Sequence, residues 1–320
     1  MLKVRISEDV FECRRIWEKY WPLSHLFDFW DVRDCFQKAF RRPLRLLIAE
    51  NHGETEGFLA LSWIEETQCF GHFPGETWHG KTWLEQNRIL ARNSRALRSL
   101  IREIPDNTHI RYLTPESLLL KNGSPEVDET GYLFYPKRYD FSFSSYLNCF
   151  SGKSRKNIMK EISRLEAWGV DYRYNHRPDM ENMFSMNREA YGENSFFNDP
   201  RFFNSFEKLM TWLWDNSLLR VTTVCLGGKV AAIDVGAVWN STYTVLAGAT
   251  NPEFPGVAKM INFHHMYWSC RNRIESVDFL CGDFGWKERF HLTPRPLYIL
   301  KTNKLIHQDG EDKAPVYAAR

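Results

Sequence analysis

Apolar positions step along the chain in two rhythms, one of three to four residues and one of two. Over residues 9–21, Val10, Cys13, Ile16, Trp17 and Tyr20 fall on one helix face, and Pro22 stops the run. Residues 44–49 and 57–64 are apolar runs either side of Asn51-His52-Gly53, which predicts an antiparallel hairpin. After a loop rich in Gly and aromatic residues at 69–80, Ile89, Leu90, Leu97, Leu100, Ile101 and Ile104 share a side, which predicts one long helix ended by Pro105. Residues 108–113 read as a strand returning beside the hairpin. Residues 114–131, with Pro, Gly and several carboxylates, have the composition of an exposed connection, and 132–143 read as a strand crossing into the second half.

The second half opens with a predicted helix over 151–168, whose stripe is Ile158, Ile162, Leu165 and Trp168 and whose stop is Gly169. Runs at 218–226, 229–239 and 242–250, divided by Gly227-Gly228 and Asn240-Ser241, predict a three-stranded meander. A Pro- and Gly-rich turn at 251–256 leads into a helix with Val257, Met260, Phe263, Tyr267, Cys270 and Ile274 on one side, followed by a strand over 276–281. The first half carries a shorter version of this order. The expected fold is therefore α/β (α+β): two units in tandem, 1–140 and 141–320, each a mixed, largely antiparallel sheet flanked by helices.

Composition narrows the function without naming it. With 42 Lys+Arg against 40 Asp+Glu over 320 residues, the net charge of +2 gives no field that calls for DNA. Seven scattered Cys without a CxxC pair argue against a disulfide framework or zinc ribbon and for a reducing cytoplasm. No run reaches the ~18 apolar residues of a membrane span, so an integral membrane protein is not expected. His264, His265 and Cys270 lack a further ligand at a suitable spacing, so no metal is expected. No GxSxG elbow, Walker loop or HExxH is present.

Two places carry candidate chemistry. Gly256 before Val257 and Ala258 lets backbone amides at a helix start approach an anion closely. Lys153, Arg155 and Lys156 crowd the start of another helix, where cations oppose the helix dipole unless an anion binds; a solvated basic face is the other reading. Cys281 reads as a small hydrophobe or a nucleophile, and alternation lets Asp234 or Tyr243 face a cleft.

The strand, x-x-x-Gly-x-Ala, helix, strand order around Glu253-Phe254-Pro255-Gly256-Val257-Ala258 resembles the pyrophosphate loop of GNAT acyltransferases, which usually begins with Gln or Arg where this chain has Glu253. Tyr146-Leu147, residues 151–158, Arg164-Leu165-Glu166, Gly169, residues 227–232, Pro255-Gly256, Val277-Asp278-Phe279 and residues 282–287 together resemble CelD-like acetyltransferases and the Fem peptidyltransferases. The resemblance covers residues 140–295 and implies paired GNAT-like domains. It implies a cytoplasmic N-acyltransferase that takes acyl- or acetyl-coenzyme A as donor and an amine as acceptor, among them cell-envelope or polysaccharide precursors.

Within it, Trp286-Lys287-Glu288-Arg289-Phe290 corresponds to an aromatic-Lys-x-x-Phe segment. That implies Lys287 at the reaction centre; Asp283, four residues earlier, is expected to orient it or take a proton, and Trp286 with Tyr243 or Asp234 is expected around the substrate. The alternatives are a Fem-type transferase using aminoacyl-tRNA, against which the chain lacks a long helical arm, and a degenerate domain that only binds.

Overall fold

Two copies of one element order make up the chain, and its last strand is returned to the seam between them. A computed structural model describes residues 2–117, 126–282 and 285–302. The first unit runs β1 (Lys3–Ser7), α1 (Val10–Tyr20), α2 (Trp30–Phe40), β2 (Leu44–Asn51), β3 (Glu54–Ile64), β4 (Cys69–His72), β5 (Leu90–Ala91), α3 (Ser94–Arg102) and β6 (Thr108–Leu113). β7 (Glu126–Phe134), α4 (Phe143–Leu147) and α5 (Gly152–Glu166) connect it to the second. That unit runs β8 (Val170–Tyr174), α6 (Pro178–Tyr191), α7 (Pro200–Asp215), β9 (Leu219–Leu226), β10 (Lys229–Trp239), β11 (Thr242–Thr250), α8 (Val257–Arg271) and β12 (Ser276–Asp278). Short α9 (Trp286–Arg289) and β13 (Thr293–Thr302) follow.

In each unit the closing strand lies parallel to the third strand of the meander, β6 on β4 and β12 on β11. One sheet results, in the order β1-β2-β3-β4-β6-β13-β7-β12-β11-β10-β9-β8, with β5 on β3. β13 is antiparallel to both β6 and β7, so it stitches the halves together.

The two-residue period decides which helix each strand residue meets. On β2, Leu46 and Ile48 pack with Ile16 and Trp17 of α1, whereas Leu47 and Ala49 pack with Leu97 and Leu100 of α3. Capping sets the helix starts: Asp9 accepts from the amides of Phe11 and Glu12 at 2.8 and 2.9 Å, and Asp199 opens α7 in the same way. The units share a core as well as a sheet. Phe36 and Phe40 of α2 meet Phe202 and Phe206 of α7, with Phe40 and Phe202 edge to face at 5.0 Å.

Several sequence expectations differ from the structure; residues 69–72 of the expected loop are β4, and Trp168 of the expected buried stripe is exposed. The helix predicted over 89–104 starts only at Ser94, because Asn93 accepts from Ala96 N at 2.8 Å. Ile89 is instead buried in a loop, and Leu90–Ala91 pair with β3 beside Gly57, where any side chain would strike Leu90 O. Of the connection predicted over 114–131, residues 126–131 are the first part of β7. Two of its carboxylates are paired: Arg111 donates to Asp128 at 3.0 Å and to Glu129 at 3.2 Å. The strand predicted over 132–143 ends at Phe134, since Pro136 begins a tight turn and Asp140 and Phe141 are left-handed, with φ of 52° and 57°.

One buried cation fixes the long loop between β4 and β5. Arg33 is 0% exposed and donates to Phe27 O at 2.8 Å, Phe73 O at 2.7 Å and Asn87 Oδ1 at 2.9 Å. Asn87 in turn donates to Arg111 O at 2.9 Å, and Glu76 accepts from Leu84 N at 2.7 Å. An unsatisfied buried acceptor costs about 1–3 kcal/mol, so Arg33→Met should lower stability by about 3 kcal/mol or more in urea unfolding. A midpoint equal to the parent's would show that Arg33 does not hold this loop.

Candidate active site

β11 and β12 pair at only three levels, Thr242↔Ser276, Tyr243↔Val277 and Thr244↔Asp278. Beyond them the strands take different partners. β11 stays with β10 as far as Thr250, whereas Phe279 N donates to Tyr132 O at 2.9 Å and Tyr132 N to Leu280 O at 3.3 Å on β7. Where they part, the β10 register jumps from Val235↔Ala247 to Gly236↔Val245, leaving Leu246 as a bulge on β11. A gap at the carboxyl ends of parallel strands is the usual place for a ligand in an α/β sheet.

The β12 side of that gap ends in a knot of charge. Lys287, 2% exposed, donates from Nζ to the carbonyls of Phe279, Leu280 and Cys281 at 2.9, 2.8 and 2.8 Å and lies 5.4 Å from the centre of the Tyr132 ring. Burial lowers its pKa, opposed by the field of Glu85. Glu85, from the first unit, accepts from Cys281 N at 2.8 Å through Oε1, while its buried Oε2 has no N–H or O–H donor. Burial, with Asp278 adding to it, pushes the Glu85 carboxyl up to about 7. Asp278 accepts from Leu280 N and Gln86 Nε2, both at 2.9 Å, and pairs with Arg295 of β13 at 2.9 Å.

Three of the residues around this knot, Gln86, Tyr112 and Leu280, have φ of 58°, 54° and 56°, and all are buried. Left-handed non-glycine residues cost roughly 1–3 kcal/mol each, so the surroundings hold this backbone against its preference.

The other sequence candidates lie elsewhere. Gly256 has φ 96° and opens α8 without a side-chain cap. A Cβ there would meet only Leu165 Cδ1, at 3.9 Å, so the turn can be approached closely. Val257 N is already bonded to Phe254 O at 3.1 Å, and Ala258 is exposed. Lys229 pairs with Glu253 at 3.0 Å, Lys259 with Glu161, and Arg164 donates to Pro255 O at 3.4 Å. Lys153, Arg155 and Lys156 are exposed at the opposite end of α5, about 14 to 18 Å along its axis from Leu165, so the structure does not bring them to this turn. Arg164, rather than those three, is the α5 cation at the turn.

Asp234 and Tyr243 flank buried His265 on the α8 side of the sheet. Asp234 Oδ2 is 2.8 Å from His265 Nε2, and the Tyr243 ring crosses Gly236 with its centre 5.1 Å from that of His265. His264 bonds Tyr174 at 2.9 Å, and burial drives its pKa down to about 3. Among the described residues no cluster of His, Cys, Asp or Glu is placed to hold a metal, and no helix is long and apolar enough to cross a membrane.

Trp286 packs edge-on to Phe279 at 5.5 Å, beside Phe290, which stacks on Phe263 of α8 at 4.8 Å. Phe263 is about 9 Å of helix from Val257, and this is the packed route between the turn and Lys287. Asp283 lies outside the described residues. Glu85, Gln86 and Arg295 escape a reading of the sequence; the one signal is a polar Glu-Gln-Asn run between Leu84 and Ile89, inside a segment whose spacing imitates a helix.

The first unit has a gap of its own. β4 and β6 meet only at Phe70↔Thr108, and a cavity of about 100 Å³ beyond is lined by Arg33, His72, Glu76, Asn87 and Arg111. Those groups bond within the protein, and burial next to Arg33 takes the pKa of His72 down to about 3.

Residues 152–288 match the family model described as an acetyltransferase (GNAT) domain. A Bacteroides thetaiotaomicron protein of unknown function is similar in structure, with a TM-score of 0.56 at 13% identity over 93% of this chain and 99% of that one. FemX follows at 0.57 and 11% over 92% and 96%. A tandem GNAT protein from the clavulanic acid biosynthesis pathway gives 0.51 and 10% over 93% and 97%. No curated protein matches in sequence. The parted strands β11 and β12 and the helix start at Val257 thus fall within the segment that matches an acetyltransferase (GNAT) domain, in a chain whose fold is similar to those of FemX and of a tandem GNAT protein.

Proposed function

We propose that this chain is an N-acyltransferase of the cytoplasm that moves an acyl group from acyl-coenzyme A to an amine, such as one on a cell-envelope or polysaccharide precursor. The observation that carries the reading is the parting of β11 from β12 at a bulge, inside the segment that matches the GNAT domain. The donor's phosphates meet the turn before Val257, where Gly256 allows close approach and Arg164 supplies a cation. The acyl carbon reaches the gap beside β12, and holding the amine there removes the entropic cost of an encounter.

Attack on that carbon develops negative charge on the acyl oxygen, and the ammonium of Lys287 supplies the local positive field. Its three carbonyl bonds keep that charge fixed in place. Asp283 belongs to the same stretch of chain, and in this reading it orients Lys287. A second reading, transfer from an aminoacyl ester of tRNA, is favoured by exposed Arg92, Arg95, Arg98 and Arg102 on and before α3, which make no ion pair among the described residues.

Lys287→Met should lower kcat about 100-fold with little change in the donor KM, with melting followed alongside because three carbonyls lose their donor. An unchanged kcat removes Lys287 from the reaction. In titration calorimetry with acetyl-coenzyme A, Arg164→Ser should raise Kd about fivefold. Replacing Lys153, Arg155 and Lys156 together by Ala should change it by less than about twofold, given their distance. The reverse ranking would place the phosphates at the start of α5, and turnover that depends on charged tRNA would select the second reading.

A further inference from the structure

We propose that Glu85, delivered by the first unit to the end of β12, is a catalytic residue that takes the proton given up by the acceptor amine. This rests on the acyl-transfer reading above and makes the active site a joint product of both units.

The geometry centres on Cys281. Glu85 Oε1 receives its N–H at 2.8 Å and Lys287 Nζ binds its carbonyl at 2.8 Å, so a carboxylate and an ammonium bracket a single residue at the parted end of β12. Glu85 is 6% exposed, and its Oε2 has no N–H or O–H donor, the Cys281 thiol being the only other hydrogen-bonding group at the carboxyl among the described residues. A buried carboxylate oxygen without a donor is costly, and structural acids are normally surrounded until both oxygens are used.

The position is also held at a cost. Gln86 beside it is left-handed, as are Tyr112 and Leu280 around it, and Arg33 and Asn87 pin the loop from behind.

The charged and titratable groups facing Glu85 are Asp278 on β12, Cys281 after it, Lys287 on α9, Arg295 on β13, Tyr112 on β6 and Glu129 on β7. Burial and Asp278 raise its carboxyl to about 7, against the pull of the Cys281 amide and Arg295. A base with that affinity changes state near neutral pH, where an amine must be deprotonated to attack.

The step balances. The substrate ammonium gives one proton to the Glu85 carboxylate, and the freed nitrogen pair adds to the thioester carbon. As the C–N bond forms and the C–S bond breaks, the leaving thiolate takes a second proton from the nitrogen. Glu85 then returns its proton to solvent, so ammonium and thioester become amide, thiol and a proton.

The test uses the full chain with acetyl-coenzyme A and two amines, ethanolamine, which is protonated at neutral pH, and hydroxylamine, which is not. Glu85→Gln should lower acetylation of ethanolamine about 100-fold or more, lose far less with hydroxylamine, and move the acid limb of kcat/KM with ethanolamine from about pH 7 up to the pKa of the free amine. Glu85→Asp should recover part of the rate. Equal losses with both amines, no loss, or an acid limb still centred near pH 7 in Glu85→Gln overturns the assignment.

If the parent acetylates neither amine, the acyl-transfer reading itself falls. Infrared titration then decides the state of Glu85 independently. A carboxylic acid band that disappears near pH 7, and is missing from Glu85→Gln, upholds a poised base. A band titrating in the ordinary carboxylate range overturns it.

Discussion

Three consecutive carbonyls turned onto one buried ammonium hold the centre of this molecule together. The chain after β12 can leave β11 only if the carbonyls of Phe279, Leu280 and Cys281 find donors other than β11, and Lys287 supplies them, joined at Leu280 by Tyr132 N of β7. Leu280 accordingly takes a left-handed conformation that its side chain disfavours. The gap beside β11, the docking of α9 through Trp286 and Phe290 on α8, and the meeting with Glu85 all depend on that change of partners.

The tandem arrangement explains why a residue of one unit can serve the other. Each unit parts its own pair of parallel strands, but the two gaps differ in what faces them. In the first unit the polar groups are bonded to one another around a small cavity, which suits a support for the loop that carries Glu85 and Gln86. In the second unit the end of β12 meets a carboxylate, that of Glu85, on the Cys281 amide. β13 completes the arrangement by bringing Arg295 to Asp278, so the end of the described chain lies at the seam where both units meet.

Much of the second unit was legible because its signals are local. Gly227-Gly228 and Asn240-Ser241 punctuate the meander, Gly256 has the positive φ expected of a turn before a helix, and Ile158 and Leu165 are buried on α5 as their spacing predicts. The first unit was harder to read. Ile89 and Leu90 match the helical step of Leu97 and Leu100 by coincidence, while Asn93 and the empty face of Gly57 decide otherwise. Asp128 and Glu129 look like loop residues until Arg111, 17 and 18 positions earlier, pairs with them. Glu85 and Asp278 are 193 positions apart, and only the folding of both units brings them to one place; no spacing rule reaches that far. The charges of Lys153, Arg155 and Lys156 were visible, but the antiparallel run of α5 against α8, which carries them away from Gly256, was not.

The account turns on where the transferred group sits. A crystal structure of the chain with a non-hydrolysable acyl-coenzyme A analogue should show the acyl carbonyl between the Leu246 bulge and Cys281, with its phosphates at the turn before Val257. Finding the analogue in the first unit, in the cavity between β4 and β6, with the gap beside β12 unoccupied, would contradict it.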